Sequence, residues 1–403
     1  MKIKLVSLLI LVIVMLNTNA QNPNTWLGQD PINTITTSVP FLMIAPDARS
    51  GSMGDAGVSS TPDANSMHWN PAKYAFIDGN MGFSVSYSPW LKKLVNDINL
   101  AYLSGYYRVD DEQVIGASLR YFSLGDINFT DNQGGDMGTY RPNEFAVDAT
   151  YSRKLSTNLS GAVAARFIYS NLTMGQYVQG LQTHPGTSVA ADVAVYWNKD
   201  ISLADLEGNL AWGVNISNIG AKISYTDNTT KDFIPTNLRF GPSLTVDFDE
   251  FNSMSFMVDI NKLLVPSPPI YELNDSTGQQ VFGPDGRPII LDGMDPEVSV
   301  ATGMLHSFYD APDGFNEEIR EFSFSVGVEY WYDKQFAIRG GFFYEDRTKG
   351  NRKYFTLGAG LKYNVFGLNF SYLIPIEQQN PLENTLRFSL LFDFDAFKSQ
   401  SDK

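Results

Sequence analysis

From Phe322 to Tyr330 the chain reads Phe, Ser, Phe, Ser, Val, Gly, Val, Glu, Tyr, an apolar residue at every even position and a small or charged one between. Successive side chains of a strand point to opposite faces, so this stretch is a strand with one greasy face. The same alternation returns at Leu386, Phe388, Leu390, Phe392 and Phe394, set between Arg387, Ser389, Leu391 and Asp393. It predicts fourteen strands: residues 80–89, 97–107, 113–122, 144–153, 159–170, 187–198, 208–217, 236–247, 253–263, 320–332, 335–345, 353–362, 366–373 and 384–395. Fourteen is even, as single-chain bacterial barrels require. A strand of about 11 residues, rising roughly 3.3 Å per residue and tilted near 40°, covers about 28 Å, enough for an apolar band of about 25 Å. The expected fold is all-β, a transmembrane antiparallel barrel.

The connectors agree with that reading. Those after the second, fourth, sixth, eighth, tenth and twelfth strands are short, as at Asp333 and Lys334 or Asn364 and Val365, whereas those after the third, fifth, seventh and ninth are long. Outer-membrane barrels have short periplasmic turns and longer outer loops, which places both termini in the periplasm. The amino terminus reads as a secretory signal: Lys2 and Lys4, the apolar stretch Leu5 to Leu16, then Thr18 and Ala20, with cleavage expected after Ala20. Twelve apolar residues fall short of the roughly 20 that span a bilayer as a helix. The chain has no cysteine, so neither a lipid anchor on sulfur nor a disulfide is available.

Loss of Lys2 and Lys4 moves the formal charge from −15 to −17, which disfavours nucleic acid as a partner. The less greasy strand face carries Arg120, Asp148, Arg166, Asp192, Arg239, Asp259, Glu329, Arg339, Lys362, Arg387 and Asp393. Unpaired charges in a narrow interior are costly, so these residues are expected to pair with one another or with a plug. A conduction path is the alternative. The three histidines, His68, His184 and His306, show no metal or catalytic spacing, so no metal, cofactor or enzymatic activity is expected. Oxygen-bearing residues between Gly125 and Arg141 lack the spacing and terminal glutamate of a calcium loop and read as turn chemistry.

Residues 44–76 lack period-two alternation. Within them Ser52-Met53-Gly54-Asp55-Ala56-Gly57, Asp63-Ala64 and Trp69-Asn70-Pro71-Ala72 resemble the amino-terminal plug signature of the FadL family of outer-membrane barrels. The resemblance implies a FadL-like fourteen-stranded barrel, residues 80–397, whose segment 21–79 folds into the lumen, with Gly54, Gly57, Asp63, Asn70 and Pro71 as the plug motif. A closer resemblance, to the PorV family of the type IX secretion system, runs through residues 33–46, 88–105, 120–126, 138–145, 166–180, 215–225 and 232–239. It implies an outer-membrane shuttle that takes folded cargo by a carboxy-terminal signal domain from the translocon channel to a surface complex that removes the signal and attaches the cargo. A FadL-like channel for hydrophobic small molecules is the rival reading.

Partner contacts are then expected on the outer loops, because loops carry function on rigid scaffolds. Residues 264–319 hold ten Asp or Glu, one Arg and seven prolines, too long a connector to be plain. Ile289, Ile290, Leu291, Phe308 and Tyr309 are its candidate apolar anchors, with a flexible acidic loop as the alternative. Phe129 and Tyr140 in the second outer loop are further candidates. Trp90, with Lys92, Lys93 and Leu94, reads as a membrane-interface cluster or a translocon contact.

Overall fold

The computed structural model describes residues 32–91, 97–130, 133–178, 181–203, 205–227, 231–274, 277–377 and 380–394. The expected signal peptide and its cleavage site, residues 21–31, Lys92, Lys93 and Leu94 lie outside the described residues. The described residues from Asn33 onward form one compact unit.

Fourteen antiparallel strands close into a barrel: Met81–Pro89, Asn99–Arg108, Gln113–Ser123, Asn143–Lys154, Leu159–Asn171, Gly186–Leu203, Leu206–Gly220, Asn237–Asp247, Asn252–Leu263, Phe322–Tyr332, Phe336–Tyr344, Lys353–Tyr363, Phe366–Pro375 and Leu386–Asp393. Each pairs with the next in sequence, and the first closes on the last from Gly82 opposite Asp393 to Tyr87 opposite Phe388. Burial is the inverse of a water-soluble core. The apolar face looks outward, with Val189 63% and Ile338 68% exposed, while Ser86, Glu329 and Arg387 on the other face are each 1% exposed. A lipid-embedded wall demands this arrangement, since every strand edge is paired and only apolar side chains meet hydrocarbon. Short turns use left-handed residues such as Asp333 and Lys334, both at φ 52°, which match the twist of tight hairpins.

Three differences from the sequence reading have physical causes. The sixth and seventh strands run on to Leu203 and back from Leu206, extending their hairpin past the neighbouring fifth strand, which pairs only as far as Leu159 opposite Trp197. Backbone pairing continues there although the apolar alternation has stopped. Lys362 is exposed and Asp393 half-exposed rather than enclosed, because each sits in the last residues of its strand at the short-turn end. The other nine predicted lumen charges are buried.

Residues 39–77 occupy the lumen, and residues 33–38 lead into it from the mouth. Four short helical pieces, Pro40–Met43, Ala48–Gly51, Ser66–Trp69 and Pro71–Phe76, pack against inward side chains around the wall. Asp47 caps the second piece by accepting from the Ser50 amide at 2.9 Å, and its other oxygen accepts from Trp69 Nε1 at 2.6 Å. Asn70 caps the fourth by accepting from the Ala72 amide at 3.0 Å, with Pro71 in the first helical position, where its missing N–H costs nothing. The Asn70 amide group also donates to the carbonyls of Val58 and Val195, so one side chain ties plug to plug and plug to wall.

Charge pairing fastens this segment. Arg49 grips Glu329 of the tenth strand through Nε at 3.0 Å and Nη2 at 2.7 Å, and Asp63 through Nη1 at 3.0 Å. Glu329 also accepts from Arg339 Nε at 2.5 Å. Asp259 of the ninth strand accepts from the amides of Gly57 and Val58 at 2.8 and 2.9 Å. Lys73 Nζ caps the Gly57 carbonyl at 2.7 Å, and Arg120 reaches the Leu42 carbonyl at 2.6 Å. On the far side Arg166 pairs within the wall, with Asp148 and with Asp192 at 3.0 Å. Removing one member of such a buried pair strands the other charge and costs about 3–5 kcal/mol.

Gly54 shows why the motif needs glycine. Its φ is +68°, its amide donates to Thr356 Oγ1 at 2.8 Å, and a Cβ there would lie 2.5 Å from the Phe342 carbonyl oxygen. Across the contact, a Cβ on Gly341 would lie 2.1 Å from the Gly54 nitrogen. Two backbones touch here with no room for a side chain. Gly54→Ala is expected to cost roughly 2–4 kcal/mol in plug seating, from the left-handed strain and the overpacking together. Trypsin should then cut after Arg49 and Lys73 in folded barrels that resist it in the wild type, and unchanged resistance would refute the close-packing account.

Candidate functional site

The long-loop end of the barrel forms a mouth built from the connector between the ninth and tenth strands, the start of the plug segment and the 345–352 connector. The described residues of the connector hold one another by hydrogen bonds: a ribbon pairs Ile270–Tyr271 with Ile290–Asp292, and two helices follow, Val300–His306 and Phe315–Arg320. Ser299 caps the first helix by accepting from the Thr302 amide at 3.2 Å.

Its acids are only partly a solvated surface. Lys262, at the end of the ninth strand, holds Glu318 at 3.1 Å and Glu321 at 2.6 Å, while Lys349 holds Glu317 at 2.6 Å and Glu321 at 2.9 Å, all with side chains at most 7% exposed. The clasp extends to the plug leader, since Asn33 Nδ2 donates to Glu317 Oε1 at 2.8 Å and to the Pro268 carbonyl at 3.1 Å. Glu317, Glu318 and Glu321 are thus paired and buried rather than part of a solvated acidic surface. Sequence reading did not single out Lys262 or Lys349. The available signal was Lys262 itself, a lysine on the greasy parity of Met254, Phe256, Val258 and Ile260, which marks where the apolar band ends and something polar must cover the strand.

Beside the clasp lies a groove of about 760 Å³. One wall is the extended segment Thr36–Ser38, another the prolines 266, 268 and 269 with Tyr271, and the third carries Lys222, Lys231 and Asp232, with Glu297 also in the lining. Lys222 Nζ sits 3.9 Å from the centre of the Phe233 ring, and the Ser38 amide donates to the Phe233 carbonyl at 2.9 Å. None of these residues was a predicted contact.

The predicted loop residues are not brought to one place. Leu291, Phe308 and Tyr309 are exposed by 58, 46 and 57%, Ile289 is at the border, and Ile290 is half-buried in the ribbon. Phe308 faces Lys262, 5.7 Å from its ring centre to Nζ, and Tyr309 lies beside His306. Phe129 and Tyr140 stack on each other at 5.0 Å across the hairpin Ile127–Thr130 and Asp136–Tyr140, in the connector after the third strand. Asp126 and Arg141 pair at its base, at 2.8 and 2.9 Å. Asp131 and Asn132 lie outside the described residues. Trp90 corrects the interface reading: it has the inward parity of Ser84, Ser86 and Ser88, packs on the cluster of Phe41, Leu42 and Leu100, and lies 5.9 Å from the Arg387 guanidinium. Of the plug motif, Gly54, Gly57, Asp63, Asn70 and Pro71 all lie in the lumen segment and serve the packing and caps described above.

Asp310 gives the clasp a pH dependence. Burial pushes its carboxyl up to about 6, the nearby Glu318 and Glu321 push the same way, and the Ser267 amide at 3.2 Å opposes them. A carboxyl raised in the closed state stabilises closure fully below its ordinary value near 3.8 and loses that contribution as pH rises through about 6. Amide exchange across Phe315–Arg320 should accordingly speed up between pH 4 and 7 beyond its intrinsic increase, and Asp310→Asn should remove the excess. Lys262→Met should speed the same exchange by roughly a hundredfold or more at neutral pH, the equivalent of about 3 kcal/mol. Exchange unaffected by either change would mean that the clasp does not hold the loop.

A family model described as type IX secretion system protein PorV matches residues 28–270, more than half of the sequence. Among solved structures, the toluene transporter TbuX of Ralstonia pickettii is 12% identical, with 86% of this chain and 98% of that one covered at a TM-score of 0.44. The toluene transporter TodX of Pseudomonas putida is 11% identical, with 90 and 98% covered at 0.45, and a FadL homologue of Pseudomonas aeruginosa is 11% identical, with 90 and 99% covered at 0.42. Likeness at that level carries no argument about this chain. No curated protein matches the sequence. On the strength of the family match, this chain, an outer-membrane barrel in fold, belongs to the PorV family of type IX secretion system proteins.

Proposed function

We propose that this barrel is the non-catalytic cargo shuttle of a type IX secretion system, taking folded proteins by their carboxy-terminal signal domain from the translocon channel to the surface complex that removes the signal and attaches them. The short-turn end and both termini face the periplasm in this reading, and the clasped mouth faces out. The observation that carries it, given the family, is the mouth groove of about 760 Å³ open above a lumen filled by residues 39–77. A filled lumen favours binding at the rim over passage through the wall. An extended cargo segment along Thr36–Ser38 would meet charges of both signs, Lys222 and Lys231 with Asp232 and Glu297, and the proline and Tyr271 surfaces. Exposed Leu291, Phe308 and Tyr309 offer apolar anchors for the rest of a domain.

Deleting the gene should leave cargo inside the cell with its signal domain uncleaved, and wild-type protein should restore processing. The double variant Lys222→Glu with Lys231→Glu, inserted normally in the outer membrane, should lower cargo recovered with the barrel severalfold, because rim charges steer association. Cargo processed normally in the deletion strain would sink the shuttle, and loss of fatty-acid uptake instead would favour the channel reading.

A further inference from the structure

The second half of the connector between the ninth and tenth strands has its burial inverted. Leu305, Phe315 and Ile319 are exposed by 67, 77 and 50%, whereas Ser307, Asp310, Glu317, Glu318 and Glu321 are buried. Phe315 and Ile319 stand one turn apart on a single face of the helix Phe315–Arg320, and Glu317 and Glu318 occupy the opposite face. A surface helix in water turns its apolar stripe toward the core and its acids out. This one does the reverse, and so does the barrel wall, where Ile338 is exposed and Glu329 buried.

Lys262 fixes where this surface lies. It has the outward parity of Phe256, Val258 and Ile260, and it stands directly opposite Phe322, which begins the outward series Phe322, Phe324 and Val326. Its Nζ meets Glu318 at 3.1 Å and Glu321 at 2.6 Å, and lies 5.1 Å from the centre of the Phe322 ring and 5.7 Å from that of Phe308. Acids that reach an outward-pointing lysine come from outside the cylinder. Phe315–Arg320 therefore leans over the outer face of the ninth and tenth strands, while Glu317 reaches the rim at Lys349 and Asn33. Two residues further along these strands Ile260 stands opposite Phe324, already part of the lipid-facing band. The exposed apolar face of the connector adjoins that band.

We propose that Leu305, Phe315 and Ile319 form a lipid anchor, resting in the outer leaflet at the boundary between acyl chains and headgroups and pinning the long connector to the membrane beside the mouth. Lipid is the occupant because the face continues a surface that lipid already covers, and because its polar residues are turned inward in the same sense as those of the wall. Aromatic rings at the level of the headgroups, Phe308 and Phe322 about Lys262, fit that position. The inference rests on the barrel's place in the membrane and not on what the mouth carries, and its three residues are distinct from those offered as cargo anchors.

The chain has no cysteine, so a single one introduced at each position carries a nitroxide label alone. In the full-length mature protein, folded in bilayer discs of phosphatidylethanolamine and phosphatidylglycerol, labels at Leu305→Cys, Phe315→Cys and Ile319→Cys should collide with oxygen, which concentrates among acyl chains, severalfold more than with a water-soluble nickel complex. Phe324→Cys in the wall should show the same preference, and Asp285→Cys in the exposed part of the connector the opposite one. Phe315→Asp with Ile319→Asp should shift the Leu305→Cys label toward the Asp285→Cys behaviour and leave the Phe324→Cys label, which reports an inserted barrel, unchanged. If the nickel complex reaches the three positions as freely as it reaches Asp285→Cys, the face lies in water and the proposal is overturned. Exclusion of both reagents would overturn it equally, since a second copy or another protein would then cover the face. Cargo capture plays no part in this measurement, so failure of the shuttle reading and failure of the anchor are separate results.

Discussion

The structure depends on the ion pair between Arg49 of the lumen segment and Glu329 of the wall. A barrel whose exterior meets lipid has only its interior in which to put polar side chains, and there each must find a partner. Glu329 is 1% exposed and stands between two guanidinium groups, one from its neighbouring strand and one from a residue 280 positions earlier. Neither wall nor plug is satisfied without the other. The wall supplies serines, Asp259 and Glu329 as acceptors and donors at fixed heights, and the plug supplies helix ends, amides and Arg49 to meet them. That mutual need explains why the segment adopts short capped pieces instead of long helices: each piece presents a terminus to the wall, where unsatisfied backbone groups find inward side chains.

The same principle governs the mouth. Lys262 and Lys349 lie where strands leave the membrane band, and the acids of the long connector cover them. Because Asn33 shares Glu317 with that cluster, the connector and the leader of the plug are joined at one point. That junction gives the rim a physical link to the lumen. The groove beside it borrows one wall from each of these two segments.

Much of this was legible in advance. All fourteen strands, the parity of their faces and the alternation of short and long connectors follow from period-two hydrophobicity, which is local and survives any tertiary context. Asp333 with Lys334 and Asn364 with Val365 mark turns by their own chemistry. The lumen charges were identifiable as inward residues, except that parity could not tell that Lys362 and Asp393 sit at the short-turn ends of their strands, where neither is enclosed. Trp90 misled because an aromatic next to lysines has the composition of a membrane girdle, whereas its parity, shared with Ser88, already pointed inward.

What the sequence by itself determined is the wall: which residues face lipid, which face the lumen, and how many strands close it, since each depends only on neighbours one and two positions away. Who pairs with whom inside was decided by the tertiary structure. Arg49 with Glu329, Gly54 against Gly341 and Lys262 under Glu321 join residues tens to hundreds of positions apart, and a carboxylate in a sequence carries no mark of which cation will stand within 3 Å of it. The site at the mouth was hidden for the same reason, since its walls come from three distant segments that only barrel closure brings together.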